Sequence, residues 1–589
     1  MQVYRNRIQG VLLLLPTLVV SLAFFYWPAW KTIQLSRVRT IGGVQKIPNG
    51  WDHFTTLATS GSFQYSVLMS FVFAFIVVAG SMLIGLYLSY LIYRVSAGQT
   101  IYLVAAIFTY ALSFAVTANI MDVLFNPTVG LFKEALTVAT QAVGIQFAFD
   151  FTTNPLWAWI FATGATMWKM IGYNVIFMMA ALSGIPESIN ETARIDGVGS
   201  FQLVTKVYIP MISPTLAFLA IVNTVNAFFL PFPVIQEISG GPSNTLNILI
   251  YDIWMTYNNS VIGLASAKSL VLFAIIGLLT AGQLYLSDRF AHYGGPEMAS
   301  EQGQTTQQAG QLIDLSVVKQ RLRQQPALHL SLIGSLVVLA LPVIMTVLMS
   351  TQPSTEISSS TLAGIGSEGL SNYQRVLFEA NFATYLVNSL IMALAIAVGK
   401  VGIALLAALA LVYYDLPFKR LILLFILFTL ALPVPVRIVP MYEIMVSLNW
   451  ENSMLGLVVP YFASATSVLL LRQHFRSISD SMVESAKIDG VGPLKFLVYV
   501  LIPMSKSMIA GLFTIAFIWG WNQYLWPLII INDQSKQVLQ VGLAQLNPTA
   551  GEALWGLIMA GAVITLLIPM VLMLALREPL LDTVSMQTK

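Results

Sequence analysis

The residues that could do chemistry in this sequence occupy two kinds of place. The first is a segment that occurs twice. Glu187–Met211 (ESINETARIDGVGSFQLVTKVYIPM) aligns without gaps on Asp480–Met504 (DSMVESAKIDGVGPLKFLVYVLIPM), 293 positions on, with 12 of 25 residues identical, where composition alone gives roughly one or two. Within it Glu191 and Glu484 offer a carboxylate to a partner's Arg or Lys, Asp196 and Asp489 add an acid just before a glycine, and small Ala193 and Ala486 let another backbone approach closely. This is docking chemistry. A loop helix lying on its own membrane domain is the plainer reading, and two matched copies favour docking of a pair of similar partners.

The second kind of place is a polar residue inside an apolar run, where the cost of burial makes function the default hypothesis. The first half has Lys169, Asn174, Asn223 and Asn226; the second has Asn388, Lys400, Arg437, Glu443 and the cluster Trp521-Asn522-Gln523-Tyr524. Trp521 and Tyr524 suit stacking on a sugar or glycerol face, and Asn522 offers a donor and an acceptor. Packing between helices is an equal reading for Tyr524. Lys169, Lys400 and Arg437 can each snorkel near a helix end, and Lys400, near the elbow side of its run, reads as structural. Arg437 lies between Pro435 and Pro440, where broken helix frees carbonyls that are tolerated only against protein or a cavity. Substrate path and structural anchor both stay open for it. A phosphate-bearing solute would need a cation on its path, and the fork-shaped guanidinium of Arg437 suits that task best.

Other chemistries find little support. Zero cysteines exclude disulfides, thiolate metal sites and cysteine nucleophiles, and four scattered histidines argue against a histidine-built zinc site. Gly399-Lys400 lacks the following Ser/Thr and the glycine spacing of a phosphate-binding loop, so the chain is not expected to hydrolyse ATP. Ser287-Asp288-Arg289 carries the acid–base pair of facilitator-type secondary transporters without their glycines, and reads as chance. With 29 basic against 26 acidic residues, net +3, there is no basic surface for nucleic acid.

The elements that must position these residues are membrane spans. Of 589 residues 57% are apolar and 9% charged, against about a quarter charged in soluble domains. A hydrocarbon core of ~30 Å needs about 20 apolar residues. Twelve such runs occur, near 10–30, 66–93, 101–124, 156–183, 205–232 and 262–287, then 327–350, 384–413, 419–440, 453–475, 500–521 and 553–577. The expected fold is all-α and polytopic, about twelve transmembrane helices in two six-helix repeats of one orientation. Arg5 and Arg7 before Val11–Val20 look like a secretory signal, but no small-residue cleavage site follows and Tyr26-Trp27-Pro28 reads as an interfacial belt. The first helix is therefore expected to be retained. Lys and Arg, among them Arg94, Arg194, Lys206, Arg289, Lys319, Lys419, Arg420, Arg472, Arg476 and Lys487, gather on the side of the N-terminus, which places both termini in the cytoplasm. Lys31, Arg37, Arg39 and Lys46 in the first outside loop break that pattern.

Domains of 1–291 and 326–589 are joined by a polar stretch, 292–325, with eight glutamines and a Gly294-Gly295-Pro296 break. It reads as a flexible linker, with a short helix possible over Asp314–Arg323. Six spans separate the repeated segments, so both lie on one face, as in a parallel duplication about an axis along the membrane normal. Pro186 and Ser479 suit helix starts, while Gly197 and Gly490 suit the stops. Each copy is expected to be a helix–turn–helix elbow.

The pattern Glu-x-Ala-x3-Gly-x9-hydrophobic-x-hydrophobic-Pro, realised as Glu191, Ala193, Gly197, Val207, Ile209, Pro210 and as Glu484, Ala486, Gly490, Val500, Ile502, Pro503, resembles the EAA loop of ATP-binding-cassette importer permeases. Thr192 and Ser485 replace its middle alanine. Leu12–Trp30, Phe125–Leu131, Thr166–Asn174 and Phe228–Pro242 look like the first-type subunit of the carbohydrate-uptake class; Asn372–Leu377, Asn388–Lys400, Leu432–Pro440 and Gly520–Ile530 look like the second type. Together they are most similar to the pair that imports sn-glycerol-3-phosphate, fused into one chain. The resemblance implies coupling loops at 187–210 and 480–503, docked on two copies of a cytosolic ATPase subunit that carries ATP and Mg. It further implies an extracytoplasmic solute-binding protein, a bacterial plasma membrane location and no cofactor in the chain itself. A permease for a neutral mono- or oligosaccharide is the alternative. An ion-coupled secondary transporter is a weaker one, since Glu443 is nearly the only embedded acid to serve as coupling site; a channel is the third.

Overall fold

The structure, a computed structural model, describes residues 4, 6–41, 45–95, 98–142, 144, 149–290, 326–358, 364–432, 434–546 and 554–576. The linker expected over 292–325, with its short helix at Asp314–Arg323, lies outside the described residues.

The described chain is helical apart from its loops and one antiparallel hairpin, β1 (Val38–Ile41) on β2 (Gln45–Pro48), which lies between the first two spans. The first half comprises α1 (Arg7–Leu35), α2 (Gly61–Arg94), α3 (Gln99–Ala111), α4 (Phe114–Phe125), α5 (Pro155–Ser183), α6 (Glu187–Ile195), α7 (Ser213–Ala227), α8 (Phe232–Glu237), α9 (Leu249–Asn258) and α10 (Ile262–Phe290). The second half repeats this order as α11 (Pro326–Met349), α12 (Phe382–Tyr413), α13 (Lys419–Phe428), α14 (Val434–Ser447), α15 (Met454–Val458), α16 (Ala465–Ser477), α17 (Asp480–Ile488), α18 (Lys506–Trp521), α19 (Leu525–Ile530), α20 (Leu539–Gln545) and α21 (Trp555–Ala575). The main departure is between α4 and α5, where 29 residues (126–154) stand against the six (448–453) between α14 and α15, and the longer stretch carries an extra helix, Leu131–Ala142.

Among the described residues eight segments are long and apolar enough to cross a membrane, and three more helix pairs are so only as bent ones. The third expected run, 101–124, turns by 98° between α3 and α4, because Ser113 leaves the helix and accepts a hydrogen bond from Val116 N, capping a new one. At 13 and 12 residues each leg is about 18–20 Å long, too short to cross alone. The tenth run bends by 47° before Ser464, which caps α16 in the same way. The ninth, 419–440, is not one helix: α13 ends at Phe428, a 3₁₀ turn follows, and α14 restarts at Val434. The eleventh bends by 86° at Ser505. Ile212 marks the matching break in the first half, 293 residues earlier. A π-helical turn precedes each of these two breaks, Leu203–Tyr208 and Leu497–Leu501.

Within each half, the second span packs along the segment that leads to the elbow, α2 against α5 and α12 against α16 and α18. Gly172 lets α5 meet α3 backbone to backbone: a Cβ there would lie 2.8 Å from Tyr110 N and 2.9 Å from Ile107 O.

The first spans are exchanged. α1 lies against the second half, where Tyr26 stacks on Phe425 at 4.2 Å and Arg7 pairs with Asp415 at 3.0 Å. α11 lies against the first half, where Trp168 Nε1 donates to Leu339 O at 2.8 Å and the Tyr87 hydroxyl meets that of Ser331 at 2.9 Å. The halves are thus clasped reciprocally. Cleavage of the linker at a protease site placed near Thr305 should therefore leave transport and co-elution of the two halves unchanged. Separation of the fragments in mild detergent would show that the linker, and not the clasp, holds them.

Candidate functional site

The two elbows have the geometry expected of them. In α6 and α17 the helix stops at a glycine with positive φ, +65° at Gly197 and +68° at Gly490. Val198 N donates to Ala193 O and Val491 N to Ala486 O, both at 3.0 Å, the long reverse bond that closes a glycine-terminated helix. Any side chain would strain that left-handed position.

What each helix presents differs from the expectation in one respect. Ala193 and Ala486 are buried against the chain's own bundle, 8% and 7% exposed, so their small size serves internal packing and not a partner's approach. The free face instead holds Glu191 with Asp196, and Glu484 with Asp489, around a bare isoleucine: Ile195 and Ile488 are each 85% exposed. Beyond the turn, Phe201 and Leu494 are also exposed. An isolated exposed isoleucine needs no explanation, but the same one bare in both copies, beside a second apolar residue and two acids, makes a contact patch. The sequence held a signal for it, since isoleucine is retained at both places in otherwise polar helices.

The elbows are seated differently. The Asn190 amide donates to the Tyr93 hydroxyl at 2.9 Å and its oxygen accepts from Tyr208 at 2.8 Å, while Arg94 reaches Ser200 at 3.0 Å. In α17 the matching position is Val483, buried in an apolar cluster with Ala486, Phe496 and Leu501. The hydroxyl of Tyr4 adds a bond to Val491 O at 3.3 Å.

The intramembrane candidates divide by what they touch. Lys169 is buried, donates to Tyr110 O at 3.1 Å and lies over the Tyr110 and Phe114 rings, tying α5 to the bend between α3 and α4. Asn174 accepts from Asn223 at 2.6 Å, a buried pair joining α5 and α7. Asn226 is half-buried near the end of α7, its carbonyl accepting from Phe229 N and Leu230 N in the turn that follows. Trp521 is fully buried and donates to Thr565 O at 3.1 Å, which leaves no ring face for a solute. Asn522 and Tyr524 reach into the first half instead: Asn522 Nδ2 donates to Leu112 O at 3.3 Å, and the Tyr524 hydroxyl to Gln236 Oε1 at 3.1 Å. Both sit on the seam between halves.

Arg437 also belongs to that seam. It is 3% exposed, donates from Nη1 to Phe24 O at 2.9 Å and lies 3.8 Å over the Phe25 ring. Phe24 and Phe25 form part of a π-helical turn, Leu22–Tyr26, inside α1, so Arg437 anchors the exchanged helix. Lys400 does not snorkel. It stands 13 residues, about 20 Å, from the end of α12, with its ammonium 3.4 Å from the Trp519 ring centroid. Lys268 was missed in the sequence, although it interrupts an apolar run; it pairs with Asp252 at 2.7 Å and donates to Thr256 at 2.8 Å.

Residues 81–292 and 400–580, covering both elbows and most of both halves, match the family model of binding-protein-dependent transport system inner membrane components. The chain belongs to this family. As such a component it is a multi-pass inner-membrane protein and a non-catalytic subunit of an ATP-binding-cassette importer that works with a binding protein. It is similar to the sn-glycerol-3-phosphate transport system permease protein UgpE of Brucella abortus (strain 2308), 36% identical over 259 residues, or 42% of this chain and 92% of that protein. The protein of that name from Salmonella typhi is 39% identical over 235 residues, or 40% of this chain and 80% of its own. Among solved structures, a chain of a bacterial alginate ABC transporter in complex with an alginate pentasaccharide-bound periplasmic protein is 20% identical, with a TM-score of 0.42, covering 48% of this chain and 94% of that one.

Proposed function

We propose that this inner membrane component supplies both halves of the translocation unit of an importer for a small phosphate-bearing polyol, sn-glycerol-3-phosphate or a related glycerophosphodiester. The observation that carries the reading is the pair of matched elbows, each offering a bare isoleucine beside two exposed carboxylates. Two identical sockets would receive them, one on each of two cytosolic ATPase subunits that bind ATP and Mg. The turn glycines and the π-helical turns behind them form the pivots through which closure of the ATPases is transmitted to the exchanged spans. Both termini are cytoplasmic in this arrangement, and an extracytoplasmic binding protein delivers the solute to the opposite face. Fusion of a first-type and a second-type permease in one chain fits the two separate family matches and fixes a one-to-one ratio of halves.

The solute class follows the names of the similar permeases and the three cations set within the spans, Lys169, Lys400 and Arg437, for which the described residues hold no carboxylate in salt-bridge range. Reconstitution in liposomes with the partner ATPase and binding protein tests the whole reading. Uptake of sn-glycerol-3-phosphate or glycerophosphodiesters should require ATP and the binding protein. Uptake of neutral disaccharides in preference would replace the solute and leave the machinery, and uptake driven by an ion gradient without ATP would overturn both.

A further inference from the structure

Two of these cations lie in one cluster that leaves two polar atoms unbonded among the described residues. Lys400 stands 3.4 Å over the Trp519 ring, Trp519 packs edge-on against Tyr461 at 4.9 Å, and Tyr461 lies 5.8 Å from the guanidinium of Arg437. Among the described residues Arg437 Nε and the Tyr461 hydroxyl are both buried without a hydrogen-bond partner, and the Lys400 ammonium lies over the Trp519 ring face. Unmet donors beside two like charges are costly inside a protein. Lys268, by contrast, is neutralised by its aspartate.

The lysine end of the cluster is its accessible end. On α12 the exposed stripe is Val387, Ile391, Leu394 and Val398, and Lys400, two residues past Val398, is turned about 200° away from it. Lys400 and Trp519 are nonetheless only half-buried, so the space they meet lies between the helices and not in lipid.

We propose that Lys400, Arg437 and Tyr461 form a binding site for the phosphate group of the solute in its passage through the membrane. The proposal rests on the reading of the chain as an importer of a phosphate-bearing solute. A phosphate monoester carries about −1.5 to −2, which matches the two cations. Once Arg437 Nε and the Tyr461 hydroxyl, both closed off in this structure, are uncovered, its several acceptor oxygens accept from the guanidinium, the ammonium and the phenol. A neutral sugar would leave both charges uncompensated. Trp519 supports the ammonium from below while the site is open.

The test uses the full chain in nanodiscs of zwitterionic lipid, with the midpoint of thermal unfolding as readout and sn-glycerol-3-phosphate or glycerol as probe. The phosphate ester should protect and glycerol should not. Lys400→Gln and Tyr461→Phe should each raise the concentration for half-maximal protection about ten- to hundredfold, as loss of a charged hydrogen bond does. Tyr461→Phe keeps the ring and its packing, so it reports even if Lys400→Gln misfolds, and the exposed control Lys536→Gln should respond as wild type. Wild-type responses in both site variants, equal protection by glycerol, or no protection by the ester would each overturn the proposal. So would displacement of the ester by added phosphatidylglycerol, which would make this a lipid site. If transport assays select a neutral sugar while the ester still protects through Lys400 and Tyr461, the solute reading fails and the site stands.

Discussion

Uptake by the Glu191→Lys, Glu484→Lys double variant is expected to be abolished, with membrane insertion intact. Each reversal replaces a contact worth about 1.5–3 kcal/mol, if it meets a cation in the partner's socket, with a repulsion. The two together exceed what a transient interface of this size can spare. The face involved is free in the chain itself: Glu191 and Glu484 are exposed, and no described residue pairs with either in a salt bridge. Co-purification of the ATPase measures the loss, and its retention at wild-type levels would refute the docking assignment. Single reversals should differ, because α6 is seated by the Asn190 hydrogen bonds and α17 by apolar packing around Val483. Ile195→Asp with Ile488→Asp should reproduce the double variant, since the bare isoleucines sit at the centre of the same patch.

Asp252→Ala is expected to destabilise the first half by about 3–5 kcal/mol, the usual result of removing one member of a buried pair. It strands the Lys268 ammonium, whose side chain is 10% exposed, between α9 and α10. Lys268→Met added to Asp252→Ala should recover most of the loss, because no charge then remains to be compensated. Unfolding midpoints in detergent separate these outcomes, and a single variant as stable as wild type would show that water reaches Lys268.

Sequence patterning located the spans better than it described them. Runs of apolar residues fix where chain crosses lipid, and the ends of α2, α5, α10, α11 and α12 fall within a few residues of those read from composition. The breaks at Ser113, Ser464 and Ser505 were not legible, because one serine between apolar helices looks the same whether it caps a new helix or bonds back within an unbroken one. The elbows were legible through duplication, which showed the residue types of each turn and its glycine stop. Which face points outward was not, since Ala193 and Ile195 are both short apolar steps in a nine-residue helix, and only the packing of the bundle against Ala193 distinguishes them. The seam was the least visible part. Asn522, Tyr524 and Arg437 were singled out as polar residues in lipid-like surroundings, but their partners lie 410, 288 and 413 residues away. No local pattern carries that information.

The exchange of first helices also fixes the order in which this protein can be made. α1 leaves the ribosome long before the surface it will clasp exists: 413 residues separate Phe24 from Arg437. At about 5–20 residues per second that interval is on the order of 20–80 s. Until then α1 has α10 of its own half to pack on, and its exposed Leu12, Leu15, Val19 and Leu22 suit it to lipid. In a two-chain permease the awaited surface would have to arrive by lateral diffusion, in competition with every other new helix in the membrane. Here it is drawn out of the same ribosome at the end of a tether, at a high effective concentration. The spans that open the second half, α12 to α14, are therefore the ones that secure the first.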